Sequence, residues 1–125
     1  MDLQLLDLVG AAQAVASKKI SSVEMVQWSL DRLKTTGVAL NAVFQIYEEE
    51  ALERAKLLDQ LQAQGQSLGL LHGVPLAHKD LYSVAGHESH VGSKILRGRV
   101  ASSNAKVINL LEAQGEVNLA SLHMC

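Results

Sequence analysis

The chain has almost no cysteine: its one cysteine, Cys125, has no internal partner, so no disulfide can staple the fold. It also has no long apolar run, because Lys, Asp, Glu or Gln breaks each hydrophobic stretch well short of the roughly 20 residues that span a bilayer. Met1 to Gly10 carries acids where a secretory leader needs a basic start, which leaves the cytoplasm as the expected setting. Basic charge is not in excess either. Eleven Lys and Arg stand against 13 Asp and Glu, for a net charge of −2, and the basic residues are scattered. A nucleic acid partner is therefore not expected, nor is a membrane. No repeat or low-complexity tract interrupts the chain. Its 48% hydrophobic and 19% charged residues are those of an ordinary globular domain, so a soluble chain with one packed unit is expected.

The first half reads as helical. Leu8 to Lys19 is rich in alanine with a basic end. Ser21-Ser22-Val23-Glu24 has the spacing of a capping box, in which a serine oxygen accepts a backbone amide three residues on and Glu24 reaches back. Val23, Val26, Leu30 and Leu33 then recur on one face of a helix expected to run to about Thr36, with Gly37 available to stop it. Ala42 to Tyr47 is a short apolar segment of undecided form. Glu48, Glu49 and Glu50 open a third helix with Leu52, Ala55, Leu58 and Leu61 along one side. Those three acids suit a solvated first turn facing the positive end of the helix dipole, rather than a cation site. Gly65 and its polar neighbours end this helix.

The character changes after residue 70. Leu70 to Asp80 is an apolar run with Pro75 near its start, which fits a strand entered through a turn. A loop punctuated by Gly86, Gly92 and Gly98 follows. Ser102, Ser103 and Asn104 offer an N-cap for a helix from Ala105 to Gln114, with Gly115 closing it. Val117 to Leu122 is the next strand. A strand, helix and strand in this order predict an α/β fold with parallel pairing at the crossover.

Lys79 is the candidate for chemistry. Strand alternation puts it on the side of Pro75 and Ala77, both small or apolar, where its ammonium has little access to water. The plainer reading of these residues alone is a strand-end lysine that reaches the surface or pairs with Asp80.

The surrounding residues favour the first reading by resemblance. Leu71-His72-Gly73-Val74-Pro75-Leu76-Ala77-His78-Lys79-Asp80 resembles the motif that opens the core of amidase-signature enzymes: Gly, Ile or Val, Pro, then Lys-Asp. Val84-Ala85-Gly86, Gly92-Ser93-Lys94, Val107 to Gly115 and Met124 continue the match, and Ile20 to Glu24 is similar to the family's helical lead-in. The resemblance implies an α/β fold in which N-terminal helices, residues 1–65, precede the first strands of a mixed-sheet α/β/α core, residues 70–125. On this reading the chain is the truncated N-terminal part of one amidase-signature domain. The implied function is that of an amidase cleaving carboxamide C–N bonds in a small-molecule amide, by a serine, a second serine in a cis peptide and a lysine, with Lys79 matching the lysine. No cofactor and no metal are implied. A lysine is ordinarily protonated near neutrality, so this role needs desolvation to favour the neutral amine. Neutral Lys79 would draw a proton through the bridging serine, and the activated nucleophile would attack the carbonyl.

The family's serines lie downstream of its Met motif, and no residue here matches either, so the chain alone is expected to be inactive. It departs from the family at His78, commonly apolar, at Glu116, where a small residue is usual, and at Ala120-Ser121-Leu122-His123. These departures lean toward a stand-alone amidase and away from the alternative, an A-type subunit of glutamyl-tRNA amidotransferase. A third alternative is a noncatalytic fragment. A sheet ending after its first strands leaves an open edge, so a homodimer or a complementing chain is a possible partner.

Other constellations carry less. Ser103-Asn104-Ala105-Lys106 has an S-x-x-K spacing but lacks the companion motifs, so Ser103 is expected to cap the helix. His87-Glu88-Ser89-His90 offers two imidazoles without a third ligand, and reads as a polar loop rather than a metal site. Cys125 has no context that would activate a thiol.

Overall fold

The computed structural model describes residues 1–124. Four α-helices and three strands alternate along it: α1 (Leu8–Ala16), α2 (Ser22–Arg32), β1 (Val43–Ile46), α3 (Glu48–Ala63), β2 (Pro75–Lys79), α4 (Lys106–Ala113) and β3 (Val117–Leu122). Cys125 lies outside the described residues.

The caps of the first helices follow from local chemistry. Asp7 accepts the Gly10 amide at the start of α1. Ser21 accepts the Glu24 amide at 3.1 Å to open α2, and its hydroxyl donates to Glu24 Oε1 at 3.2 Å. Glu24 thus reaches back to the capping hydroxyl, and not to the backbone amide of a full capping box. Val26 and Leu30 are fully buried, with Val23 and Leu33 packed beside them, as the stripe predicts.

Gly37 does not stop this helix. Leu33–Gly37 forms a π-helical turn and the chain stays helical through residue 39. The stop falls at Asn41, in the left-handed region at φ 54°. There the Ala42 amide reaches the Gly37 carbonyl and the Asn41 amide reaches that of Val38, the pattern of a Schellman end. Gly37 serves packing instead, since a Cβ there would sit 3.0 Å from a Val43 methyl.

The undecided segment after Ala42 is a strand. β1 pairs antiparallel with β3, and β2 pairs parallel with β3, giving a mixed sheet in the order β1-β3-β2. Val26, Leu30, Ala51, Ala55, Leu58, Val117, Leu119 and Ala120 form one buried cluster that joins α2 and α3 to the sheet. A smaller cluster of Ala14, Val15 and Met25 fixes α1 to α2. Burying a Leu or Val side chain contributes about 1.5–3 kcal/mol, so the first cluster is a strong tie between helices and sheet and the second between α1 and α2.

Ser103 does not cap α4. The N-cap is Ala105, without a side-chain hydrogen bond, and Asn104 accepts the Ala85 amide at 2.7 Å, tying down the preceding loop. Loop anchoring has won over capping at this position.

Among the described residues no helix is long and apolar enough to cross a membrane.

Candidate active site

Entry into β2 requires glycine. Gly73 has φ 80°, and a Cβ there would approach Ser22 Cβ to 2.9 Å and a Val15 methyl to 3.0 Å. The Ser22 hydroxyl donates to the Gly73 carbonyl at 2.8 Å, and the Gly73 amide donates to the Gly115 carbonyl at 2.8 Å. The start of α2, the entry to β2 and the end of α4 therefore meet at one point. His72 locks it: the Leu68 amide donates to Nδ1 at 3.0 Å, so the proton sits on Nε2, which donates to the Leu58 carbonyl at 2.8 Å. Nothing in the spacing around His72 signals this task.

Lys79 closes β2, half-buried, opposite Leu122 of β3, which itself pairs with Val43 of β1. Ala77, two residues earlier, packs against the main core. Asp80 follows at 2% exposure. Its amide donates to the Leu122 carbonyl at 2.8 Å, prolonging the β2–β3 ladder. Its carboxylate accepts the amides of His90 and Val91, each at 3.2 Å, and its carbonyl accepts the Ser89 hydroxyl at 3.2 Å.

Val91 sits at φ 53°, an unfavourable conformation for a β-branched residue, and the Asp80 carboxylate helps to hold it there. Beside it, a Cβ on Gly92 would lie 3.2 Å from Met124 Cβ. The loop after Lys79 is thus folded back against the end of β3. A buried aspartate beside a lysine in sequence gives no sign of whether its carboxylate turns to the lysine or to loop amides, so this anchoring role was not readable.

The two histidines of His87-Glu88-Ser89-His90 go to different partners. His87 lies against the Tyr47 ring at 4.1 Å between centroids and bonds Glu50 through Nε2, whereas His90 meets Phe44 edge-on at 4.5 Å. Among the described residues no three His, Cys, Asp or Glu side chains are grouped as metal ligands.

A polar cluster lies under the end of α4. His78 Nε2 stands 2.6 Å from Glu116 Oε1, and the Glu116 side chain is fully buried. Arg54 of α3 donates to the carbonyls of Glu116 at 2.8 Å and Glu112 at 2.7 Å, placing a cation on the negative end of α4. Burial pushes the Glu112 carboxyl up from its ordinary range, against the pull of Arg54. Burial likewise pushes the Tyr47 hydroxyl up; nearby Ser121 opposes that shift, although its oxygen lacks a full hydrogen bond.

Helices interleaved with a mixed β1-β3-β2 sheet, with Lys79 closing the strand that pairs parallel with β3, define an α/β fold with known counterparts. The architecture matches a chain of a solved vestigial protein complex that bears on the evolutionary origins of an s-triazine catabolic enzyme, with a TM-score of 0.90 and 30% identity over 96% of this chain and 26% of that one. The peptide amidase of Stenotrophomonas maltophilia matches with a TM-score of 0.86 and 26% identity over 94% of this chain and 24% of that one. The family model described as Amidase matches residues 24–125, so the chain belongs to the amidase family. Among curated relatives, the A-type subunit of the Azotobacter vinelandii glutamyl-tRNA(Gln) amidotransferase is 39% identical over 119 residues, 95% of this chain and 24% of that protein. The chain therefore spans about a quarter of the length of these relatives.

Proposed function

We propose that this chain supplies the lysine base of an amide-cleaving enzyme, with Lys79 in that role and a small-molecule amide as substrate. The observation that carries this reading is the place of Lys79. It ends a strand paired parallel with β3, and the next residue, Asp80, fastens the following loop. A base must be held in a fixed position to be effective, and a strand end backed by a buried anchor provides that. The two serines implied by the family resemblance are matched by no residue of this chain, so the reading concerns a protein in which they accompany it. A lone cysteine fits a cytoplasmic setting.

The test is a chimera in which this chain replaces the matched segment of the peptide amidase, with amide hydrolysis followed by product release. Lys79→Ala in that chimera is expected to lower kcat by about 100-fold or more, the usual worth of a general base. Undiminished turnover would remove Lys79 from the mechanism.

A second reading is favoured by the 39% identity to the amidotransferase protein, against the lean of the sequence departures toward a stand-alone enzyme. It places the same chemistry in a multi-subunit enzyme that passes ammonia to a charged tRNA. An ATP-dependent reaction that needs companion chains supports it, and hydrolysis by a single chain opposes it.

A further inference from the structure

We propose that His78 and Glu116 form a brace that pins the β2–β3 register and so positions Lys79. The inference rests on the reading of Lys79 as the base. The two strands do not run in simple register. Pro75 and Leu76 pair with Val117 and Asn118, but His78 and Lys79 pair with Ser121 and Leu122, so Leu119 and Ala120 together oppose Ala77. This is a β-bulge, placed two residues before Lys79.

A bulge is an adjustable joint. Shifting its extra residue along the strand changes the pairings it passes, losing that residue changes every pairing beyond it, and a one-residue slip turns side chains to the opposite face. Some interaction must fix its place. The backbone bonds on either side, Val117 amide to Val74 carbonyl and Asp80 amide to Leu122 carbonyl, fix the two ends but do not bridge the bulge.

The His78–Glu116 contact does bridge it. Glu116 lies one residue before the Pro75–Val117 pair, below the bulge, and His78 lies above it, paired with Ser121. Their side chains meet at 2.6 Å, with 13% and 0% of each exposed. The Glu116 backbone is held in turn by Arg54. Among the described residues the second Glu116 oxygen has no hydrogen-bond partner, and His78 is the side-chain partner of the first, so losing that contact would leave a fully buried carboxyl group without a side-chain hydrogen bond, a costly state. A brace anchored below the bulge and attached directly before Lys79 transmits position to that lysine.

The test uses the whole isotope-labelled chain and needs no catalysis, so it can fail independently of the assignment of Lys79. In H78L/E116A, which leaves no buried charge unpaired, cross-strand NOEs between Lys79 and Leu122 are expected to be lost while those between Pro75 and Val117 persist. H78Q, whose amide can still donate to Glu116, is expected to keep both sets. The milder E116Q gives a second reading by hydrogen exchange: the Asp80 amide above the bulge should exchange about ten-fold faster, with the Val117 amide below it within about two-fold of the parent. Persistence of the Lys79–Leu122 contacts in a folded H78L/E116A chain overturns the brace, and so does equal acceleration at both amides in E116Q. If the register moves as expected but Lys79→Ala leaves turnover intact, the brace stands and the role of Lys79 falls.

Discussion

Asp59, in the C-terminal half of α3, accepts the backbone amides of Ser22 at 2.8 Å and Val23 at 3.1 Å, so the first turn of α2 is capped by a carboxylate 37 residues away as well as by its own Ser21. Negative charge at a helix N-terminus meets both unsatisfied amides and the positive end of the dipole. Asp59→Ala removes both bonds while Ser21 keeps its own. The expected loss is about 1 kcal/mol of unfolding free energy, near the middle of the range for a lost cap. Urea titration of the variant checks it, and a change below about 0.3 kcal/mol would show that Ser21 suffices.

The glycine junction should be far less tolerant. A Cβ on Gly115 would lie 2.5 Å from His72 Cα and 2.9 Å from its nitrogen, both backbone atoms that cannot swing aside, at a φ of 99°. Gly115→Ala is expected to cost about 3 kcal/mol or more, combining backbone strain with separation of the α4 end from the β2 entry. Thermal unfolding measures this. A shift in Tm comparable with that of a surface substitution contradicts the close approach.

Glu112 gives the chain a pH dependence of definite sign. Its carboxyl is held above its ordinary value of 4.5 by burial. As pH rises past that value the unfolded chain loses the proton first, so the folded state binds more protons and stability falls, until the folded carboxyl has ionised too. Glu112→Gln removes the effect. The variant should match the parent below about pH 4.5 and exceed it above the window, by no more than about 0.5 kcal/mol because solvent screens this half-exposed group. Parallel stability curves for the two proteins across that range would contradict the assignment.

Local chemistry was largely legible in the sequence. The Ser21 cap, the Val26 and Leu30 stripe, the strand entered at Pro75 and the parallel crossover all follow from residue type and spacing within one element. The failures share a physical cause, which is competition from a distant partner. Gly37 reads as a helix stop but lies against Val43, and Asn41 ends the helix instead. Ser103 reads as a cap, yet Asn104 beside it is drawn to Ala85 and the helix begins uncapped at Ala105. β1 has too few residues to show a period, and only β3 makes it a strand.

The site shows the same division. Lys79 stood out through the motif around it, whereas the anchoring of the loop by Asp80 did not. His78 and Glu116 were each visible as departures from the family pattern, but one sequence holds no record that two residues 38 positions apart touch.

β3 lies between β1 and β2, although it is the last of the three in chain order. A ribosome therefore delivers both outer strands before the one that joins them. Until residues 117–122 emerge, β1 and β2 have no shared neighbour, and only contacts such as those between α2 and α3 can form early. Sheet assembly must then close loops from residue 43 and residue 75 onto the same late segment, the kind of non-local step that slows folding. During synthesis the nascent chain would pass through an interval of helical, sheetless structure, when its unpaired strands are most open to chaperones or to mispairing.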